Sequence, residues 1–236
     1  MSHSPRSLFK NRLLSTLPGP EYQRLLPRLR MVHLPKGKII YDQGDQVSNV
    51  YFPLDGMMSM LSITEDGSTV EVAMVGNEGV VGLPLILRAD RMPFRVMVQV
   101  SVNAVSMQGK LLWEEFGRNI PFQVLLLRYA HTMVTQIAQS AACNRFHSVE
   151  ERLCRWLLIT RDRVKSNTFN LTQEFISHML GVPRTAVTMT AVNIQKMGLI
   201  SYTRGKIVLL NPQGLETAAC ECYRVVTEEI KHLLAA

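Results

Sequence analysis

Cysteine is scarce in this 236-residue chain, with Cys143, Cys154, Cys220 and Cys222 the whole complement. Four thiols, unevenly spread through the second half, do not form a disulfide framework, so reduced thiols are expected. Cys220 and Cys222 fall in a stretch that reads as one helix. A spacing of two points helical side chains to nearly opposite faces, so no metal site and no cofactor are expected. Long apolar runs are missing too. The chain is 47% hydrophobic, yet nothing approaches the ~20 residues of a membrane span, so a globular protein with no membrane partner is expected. The segment from Met1 to Lys10 carries Arg6 and Lys10 but has neither a long apolar centre nor a small-residue cleavage site. It does not read as a leader peptide, and the cytoplasm is the expected compartment. Paired carboxylates, a glycine-rich phosphate loop and a nucleophile elbow in its strand-turn-helix context are all lacking, which argues against an enzyme.

Acid is the minority charge, 19 Asp and Glu against 26 Lys and Arg, and the imbalance is uneven. Residues 1–120 have a net charge of +2 and residues 121–236 a net charge of +5; the window 145–206 holds 10 bases and 4 acids. A compact basic segment is the footprint of a nucleic-acid binder, because phosphates are neutralised by Lys and Arg with counterion release. A solvated basic face would look the same on charge alone.

What is present falls into three textures. Leu8, Leu13, Leu14, Leu17, Leu25, Leu26 and Leu29, broken at Pro18-Gly19-Pro20, predict two short amphipathic helical pieces. From Lys36 onward, short apolar runs (Ile39 to Tyr41, Val50 to Pro53, Met57 to Ile63, Thr69 to Val75) alternate with turn clusters such as Asp55-Gly56 and Asp66-Gly67. That spacing predicts an antiparallel β-roll or barrel, with a further strand pair in Arg95 to Val105. Pro121 suits the start of a helix, in which Phe122, Leu126, Tyr129, Met133, Ile137 and Ala141 recur at three- and four-residue steps and Leu125, Ala130 and Val134 widen the stripe. So broad a band predicts two burial partners, the subunit's own core and a second copy, with Phe122, Leu126, Tyr129, Met133 and Ile137 as homodimer contacts. A helix buried wholly within one subunit is the alternative. Ser148-Val149-Glu150-Glu151 has the form of a capping box that starts a new helix, which makes 145–148 the hinge.

The third texture begins at Leu171. Thr172 is placed to cap a helix with Phe175, Ile176, Met179 and Leu180 inward; Gly181 permits a tight turn; Pro183 or its neighbour opens a second helix with Val187, Ala191 and Ile194 inward and Gly198 as its stop. Two such helices form a helix-turn-helix. Leu199 to Leu210 then reads as a hairpin with Thr203-Arg204-Gly205-Lys206 at its tip, a wing placed to reach phosphates. The outward residues Arg184, Thr185, Thr188 and Met189 are the candidates to read bases, and Thr172, Gln173, Lys196, Arg204 and Lys206 the candidates to touch phosphate.

In this order the parts resemble the Crp/Fnr family of bacterial transcription regulators. The resemblance rests on Gly37 to Tyr41, Gln43-Gly44-Asp45 and Tyr51 to Gly56, on the long helix, and on Leu171-Thr172-Gln173-Glu174 and Gly181-Val182-Pro183-Arg184-Thr185. It implies an α+β fold: an N-terminal antiparallel β-roll of the cyclic-nucleotide-binding kind in residues 1–120, a dimerisation helix in 121–145, and a C-terminal winged helix-turn-helix in 146–236. It implies a sequence-specific regulator that binds double-stranded DNA as a homodimer, with an allosteric link from the roll. RNA polymerase would be a partner if the protein activates.

The sequence departs from the family where a cyclic nucleotide would be held. Family members that bind one carry Gly-Glu-Leu and, about ten residues later, Arg-Ser or Arg-Thr, supplying an acceptor for the ribose and a cation for the phosphate. Here the stretches are Gly82-Leu83-Pro84 and Met92-Pro93-Phe94, with Arg95 out of step and followed by Val96. Gly82, Leu83, Phe94, Arg95 and Ile137 therefore outline an apolar candidate pocket for an unknown small-molecule effector, not a cyclic nucleotide. An iron–sulfur sensor would need cysteines near the N-terminus, and the first is Cys143. His33 is better read as a strand-edge histidine than as a haem ligand. Two further readings stay open: a regulator that uses no effector, and a ligand or scaffold module whose winged helix binds protein. The polar, basic outer face of the second helix disfavours the latter.

Overall fold

Short strands punctuated by Asp-Gly turns fold into two antiparallel sheets in the computed structural model, which describes residues 10–235. Arg6 and Leu8, on which the leader-peptide and first-helix expectations partly rest, lie outside the described residues. The described residues begin with α1 (Arg12–Ser15) and α2 (Gly19–Leu25), on either side of Pro18, then a 3-10 turn. Asn11 ties this start to the roll: its Oδ1 accepts from Leu14 N while its amide donates to the carbonyls of Pro53 and Gly79. The strands follow as β1 (Arg30–Leu34), β2 (Ile39–Tyr41), β3 (Asn49–Pro53), β4 (Met57–Ile63) and β5 (Thr69–Val75); after α3 (Leu83–Ile86) come β6 (Arg95–Val100) and β7 (Val102–Gln108).

The expected strand pair in Arg95 to Val105 is two strands but not a hairpin. β6 pairs with β2 and β4 in one sheet, and β7 with β1 and β3 in the other, so the chain changes sheets at Ser101. Gly56 makes that corner possible. Its φ is +67°, and a Cβ there would lie 2.2 Å from the Ser101 carbonyl oxygen.

Beyond α4 (Gly109–Arg118), the long helix α5 (Ile120–Phe146) starts with Asn119 Oδ1 accepting from Phe122 N. Next come α6 (Val149–Val164), β8 (Thr168–Asn170), α7 (Gln173–Leu180), α8 (Arg184–Lys196), β9 (Ile200–Thr203), β10 (Lys206–Leu209), α9 (Pro212–Ala218) and α10 (Cys222–Ala235). The capping box read at Ser148 is present, with Glu151 N donating to Ser148 Oγ and Ser148 N to the Glu151 carboxylate. β1, α4 and β8 are elements that the apolar spacing did not announce. Nor do Cys220 and Cys222 share a helix, because the chain breaks between α9 and α10, with Ala219 extended at φ −82°, ψ 156°. Both thiols are turned to one place beside Cys143.

Two cores meet on β4. Met58 and Met60 face the first core, between the sheets and α5, while Met57 and Leu61 face the second, built from α6 to α9 and the winged sheet. With both faces covered, the strand needs no polar alternation, which is why its sequence is an almost unbroken apolar run.

Buried polar groups register the second unit on the first. Arg163 of α6 donates to Glu78 Oε1 at 2.7 Å, with both side chains under 10% exposed, and to the Met74 carbonyl. Gln136 of α5 completes the junction by accepting from Met74 N and donating to Met74 O. Gly76 leaves room for it, since a Cβ there would meet Glu78 Oε2 at 2.6 Å and Arg163 Cγ at 2.9 Å. Nearby, Trp156 Nε1 donates to Glu71 Oε1 at 2.9 Å. Burial pushes the Glu71 carboxyl up to about 7, with hydrogen bonds from Ser59 and Trp156 opposing the rise.

Two outcomes follow. Gly56→Ala adds backbone strain to a blocked corner and is expected to cost roughly 2 kcal/mol or more, whereas Gly67→Ala, at φ +82° but with nothing within 4 Å, should carry the backbone strain alone. Thermal melts in which the two variants lose the same midpoint would refute the role of the corner. For Glu71, a carboxyl raised in the fold binds its proton more tightly there than in the unfolded chain, so its contribution is present at low pH and is lost as pH rises from about 4.5 to about 7. Glu71→Gln should remove this decline and melt higher than the wild type above pH 7. Parallel pH–stability curves for the two proteins would exclude it.

Candidate nucleic-acid interface

Caps assemble the reading unit. Thr172 Oγ1 accepts from Phe175 N at 3.1 Å to start α7, and Gly181 ends it at φ 61°, a left-handed conformation that costs glycine little. Pro183 then caps α8. Ile176, Met179 and Leu180 pack with Val187 and Ile194, while Phe175, expected inward, is half-buried. Since Val187, Thr190, Ala191 and Ile194 are buried, the opposite face presents Arg184, Thr185, Thr188 and Met189, the last 69% exposed. Val192 lies exposed on the same helix, one turn beyond Thr188. Thr188 Oγ1 sits 2.8 Å from Gln173 Oε1 and 3.0 Å from the Arg184 carbonyl, so its hydroxyl links α8 to the first turn of α7.

The wing is a three-stranded sheet in the order β8-β10-β9. Arg204 and Gly205 form its tip, both at positive φ (49° and 79°). Two such residues in succession give a hairpin turn whose twist matches its strands. Leu171 N donates to the Gly205 carbonyl and the Tyr202 hydroxyl to the Leu171 carbonyl, fixing the tip beside the start of α7. Gln195 accepts from Tyr202 N and is committed to this scaffold.

The basic window divides into inner and outer parts. Arg152, Arg155 and Arg163 are buried: Arg152 donates to the Leu180 carbonyl, Arg155 to Ser140 Oγ and Arg163 to Glu78. Arg161 is paired with Asp162 and Glu216. Much of the charge that pointed to nucleic acid thus holds the fold together, and the cations left on the outer surface of α8 and the wing are Arg184, Lys196, Arg204 and Lys206.

The expected dimer contacts need correcting. Phe122, Leu126, Tyr129 and Met133 are at most 2% exposed and belong to the subunit's own core, and Ile137 is half-buried against it. The outer face of α5 instead carries Val124 (40% exposed), Leu127 (47%), His131, Val134 (58%), Ala138 and Ala141. Their steps alternate between three and four residues, the spacing of a coiled-coil seam. The bulkier side chains of the stripe fill the subunit's own core, and the apolar residues of α5 left exposed are different ones.

In the roll, Gly82 has φ +117° and would bring a Cβ to 2.6 Å from Val50 Cγ1, and Leu83 is buried in the core. Arg95 pairs through Nε and Nη2 with both Asp42 oxygens, at 3.1 and 2.7 Å, and these bonds hold the Asp42 carboxyl below its usual range. Phe94 and Ile137 lie half-buried against the same core. None of these five residues lines the groove of about 670 Å³ found between the roll, α6 and α10, which is bordered by Arg12, Glu78, Asp162, Arg163, Tyr223 and Lys231. His33 is a strand-edge residue with Nδ1 3.0 Å from Asn103 Oδ1. Cys154 is buried and its thiol is pushed up to about 12 by that burial, which makes it unreactive.

Residues 31–119 match the cyclic nucleotide-binding domain and residues 151–218 the Crp-like helix-turn-helix domain. A global nitrogen regulator from Synechococcus elongatus is 26% identical over 196 residues, 79% of this chain and 88% of that protein. Among solved structures, FixK2 from Bradyrhizobium japonicum superposes with a TM-score of 0.70 at 16% identity, over 81% of this chain and 98% of that one. A Crp/Fnr-family transcriptional regulator from Thermus thermophilus superposes with a TM-score of 0.65 at 17% identity, over 80% and 98%. Among the described residues no helix is long and apolar enough to cross a membrane. With its roll, its long helix and its winged reading unit, the chain belongs to the Crp/Fnr family of DNA-binding transcription regulators.

Proposed function

We propose that the protein is a cytoplasmic homodimer that reads double-stranded DNA by binding alone, with residues 1–120 as sensor, 121–145 as dimerisation helix and 146–236 as reading domain. The observation that carries this reading is the outer face of α8, where Arg184 stands exposed in the first turn beside Thr185, Thr188 and Met189. The Arg184 guanidinium takes O6 and N7 of one guanine together, a pairing worth about 1–3 kcal/mol of discrimination. Met189 offers only apolar contact, such as a thymine methyl. Thr172, Gln173, Lys196, Arg204 and Lys206 hold phosphates and set register. The roll serves an effector other than a cyclic nucleotide, because Leu83 cannot accept from a ribose hydroxyl and Arg95 is already bound to Asp42. RNA polymerase becomes a partner if the protein activates.

The second copy docks on the outer seam of α5. Val124, Leu127 and Val134 supply apolar contact, and the small side chains of Ala138 and Ala141 let the helices approach closely. In such a two-fold dimer the two α8 helices would enter successive major grooves about 34 Å apart.

Binding-site selection tests the reading face. Arg184→Ala should lose its preference at one guanine per half-site, whereas Lys206→Ala should weaken all sequences alike and reduce the salt slope by about one. An unchanged selected motif for Arg184→Ala would reject the assignment. For the dimer, Val134→Glu should give folded monomers by light scattering and circular dichroism, while Met133→Glu should unfold the subunit. A dimeric Val134→Glu protein would put the interface elsewhere.

A further inference from the structure

The break between α9 and α10 brings together residues that the sequence keeps far apart. Cys143 lies in the last turn of α5, His147 caps that helix one turn on, and Cys220 and Cys222 flank Glu221 where the chain turns into α10. Their ligand atoms all lie within 4.8 Å of one another. Cys143 Sγ is 3.6 Å from Cys220 Sγ, and Cys222 Sγ is 3.4 Å from His147 Nδ1. All three cysteines are buried.

These separations discriminate between occupants. Around one zinc ion, bonds of about 2.3 Å to sulfur and 2.0 Å to nitrogen set tetrahedral edges of about 3.8 Å between sulfurs and about 3.5 Å between sulfur and nitrogen. A four-iron cluster interposes its own cube and would hold its sulfurs roughly 6 Å apart. The observed pairs fit the single ion.

The surroundings fit it as well. His147 Nε2 lies 3.3 Å from the Glu221 carboxylate, so its proton belongs there and Nδ1 turns its lone pair toward the thiols. A carboxylate on the far nitrogen of a ligating histidine is the usual support of such sites. Gln139 Nε2, one turn before Cys143, donates to Cys222 Sγ at 3.0 Å.

We propose that Cys143, His147, Cys220 and Cys222 bind one zinc-class divalent ion in closed tetrahedral coordination. Binding releases three thiol protons to solvent and leaves the imidazole neutral. Four protein ligands leave no open position, so the site is structural, not catalytic. It fastens the start of α10 to the end of α5, beside the Ser148 hinge that leads into the reading domain. A disulfide between Cys143 and Cys220 is the competing use of the same thiols.

The test uses the full chain, purified without oxidant. Metal analysis and native mass spectrometry should find one zinc per chain. After chelation under reducing conditions, Co(II) alone should give tetrahedral thiolate absorption that saturates at one equivalent. Cys154→Ser, buried but outside the cluster, should behave as wild type, whereas Cys222→Ser should lose the absorption and His147→Cys should keep it as a four-thiolate site. Chelator should lower the thermal midpoint of wild type and leave that of Cys222→Ser unchanged. Metal-free protein with no thiolate absorption on adding Co(II), a mass two hydrogens short from a Cys143–Cys220 bond, or equal loss in Cys154→Ser would each overturn the site.

Discussion

The arrangement of the molecule depends on one buried ion pair. Arg163 and Glu78 meet at 2.7 Å just beyond the end of β5, both side chains buried, and this charge pair sets the register of the second core on the first. Apolar surfaces such as Met57, Leu61 and Trp156 supply adhesion, which is non-directional. A pair of buried charges does not gain much net stability over a well-packed apolar substitute, but leaving either partner alone costs about 3–5 kcal/mol. It therefore excludes displaced arrangements more than it strengthens the chosen one. Gly76 and Gln136 belong to the same constraint, the first by leaving space and the second by binding both backbone groups of Met74.

This junction joins the three parts that a regulator must couple. Met74 and Glu78 come from the roll, Gln136 from the long helix, and Arg163 from the first helix of the reading domain. A shift of β5 along its length cannot leave the other two partners undisturbed. Glu71 and Trp156 add a second contact across the same boundary, with a carboxyl whose burial makes its protonation part of the packing. The thiol and imidazole cluster fixes the far end of α5 to α10 in a comparable way, so the helix is constrained at its middle and at its C-terminal end.

Several elements could be read from the sequence because local rules fixed them. Asp-Gly turns marked β4 and β5, Ser148 and Glu151 marked the start of α6, and Thr172, Gly181 and Pro183 marked the two helices of the reading unit. Each depends on a few neighbouring residues and on the backbone angles they favour. The face of α8 was legible for the same reason, since a helix with Val187, Ala191 and Ile194 buried leaves Arg184 and Met189 outside.

What only the tertiary structure decided depends on groups distant in sequence. Periodicity could place apolar residues on α5 but could not say that Phe122, Leu126, Tyr129 and Met133 fill the subunit's own core and that Val124, Leu127 and Val134 stay outside. The charge count could not separate Arg152, Arg155 and Arg163, turned inward to carbonyl, hydroxyl and carboxylate partners, from Lys206 on the wing. Cys220 and Cys222 looked like opposite faces of one helix until the break at Ala219 turned them both toward Cys143. The one local hint there was the four-residue step from Cys143 to His147, which puts both on one helical face. Short-range backbone preference is written in adjacent residues, whereas the partner of a buried charge or thiol is set by which surfaces meet when the cores close.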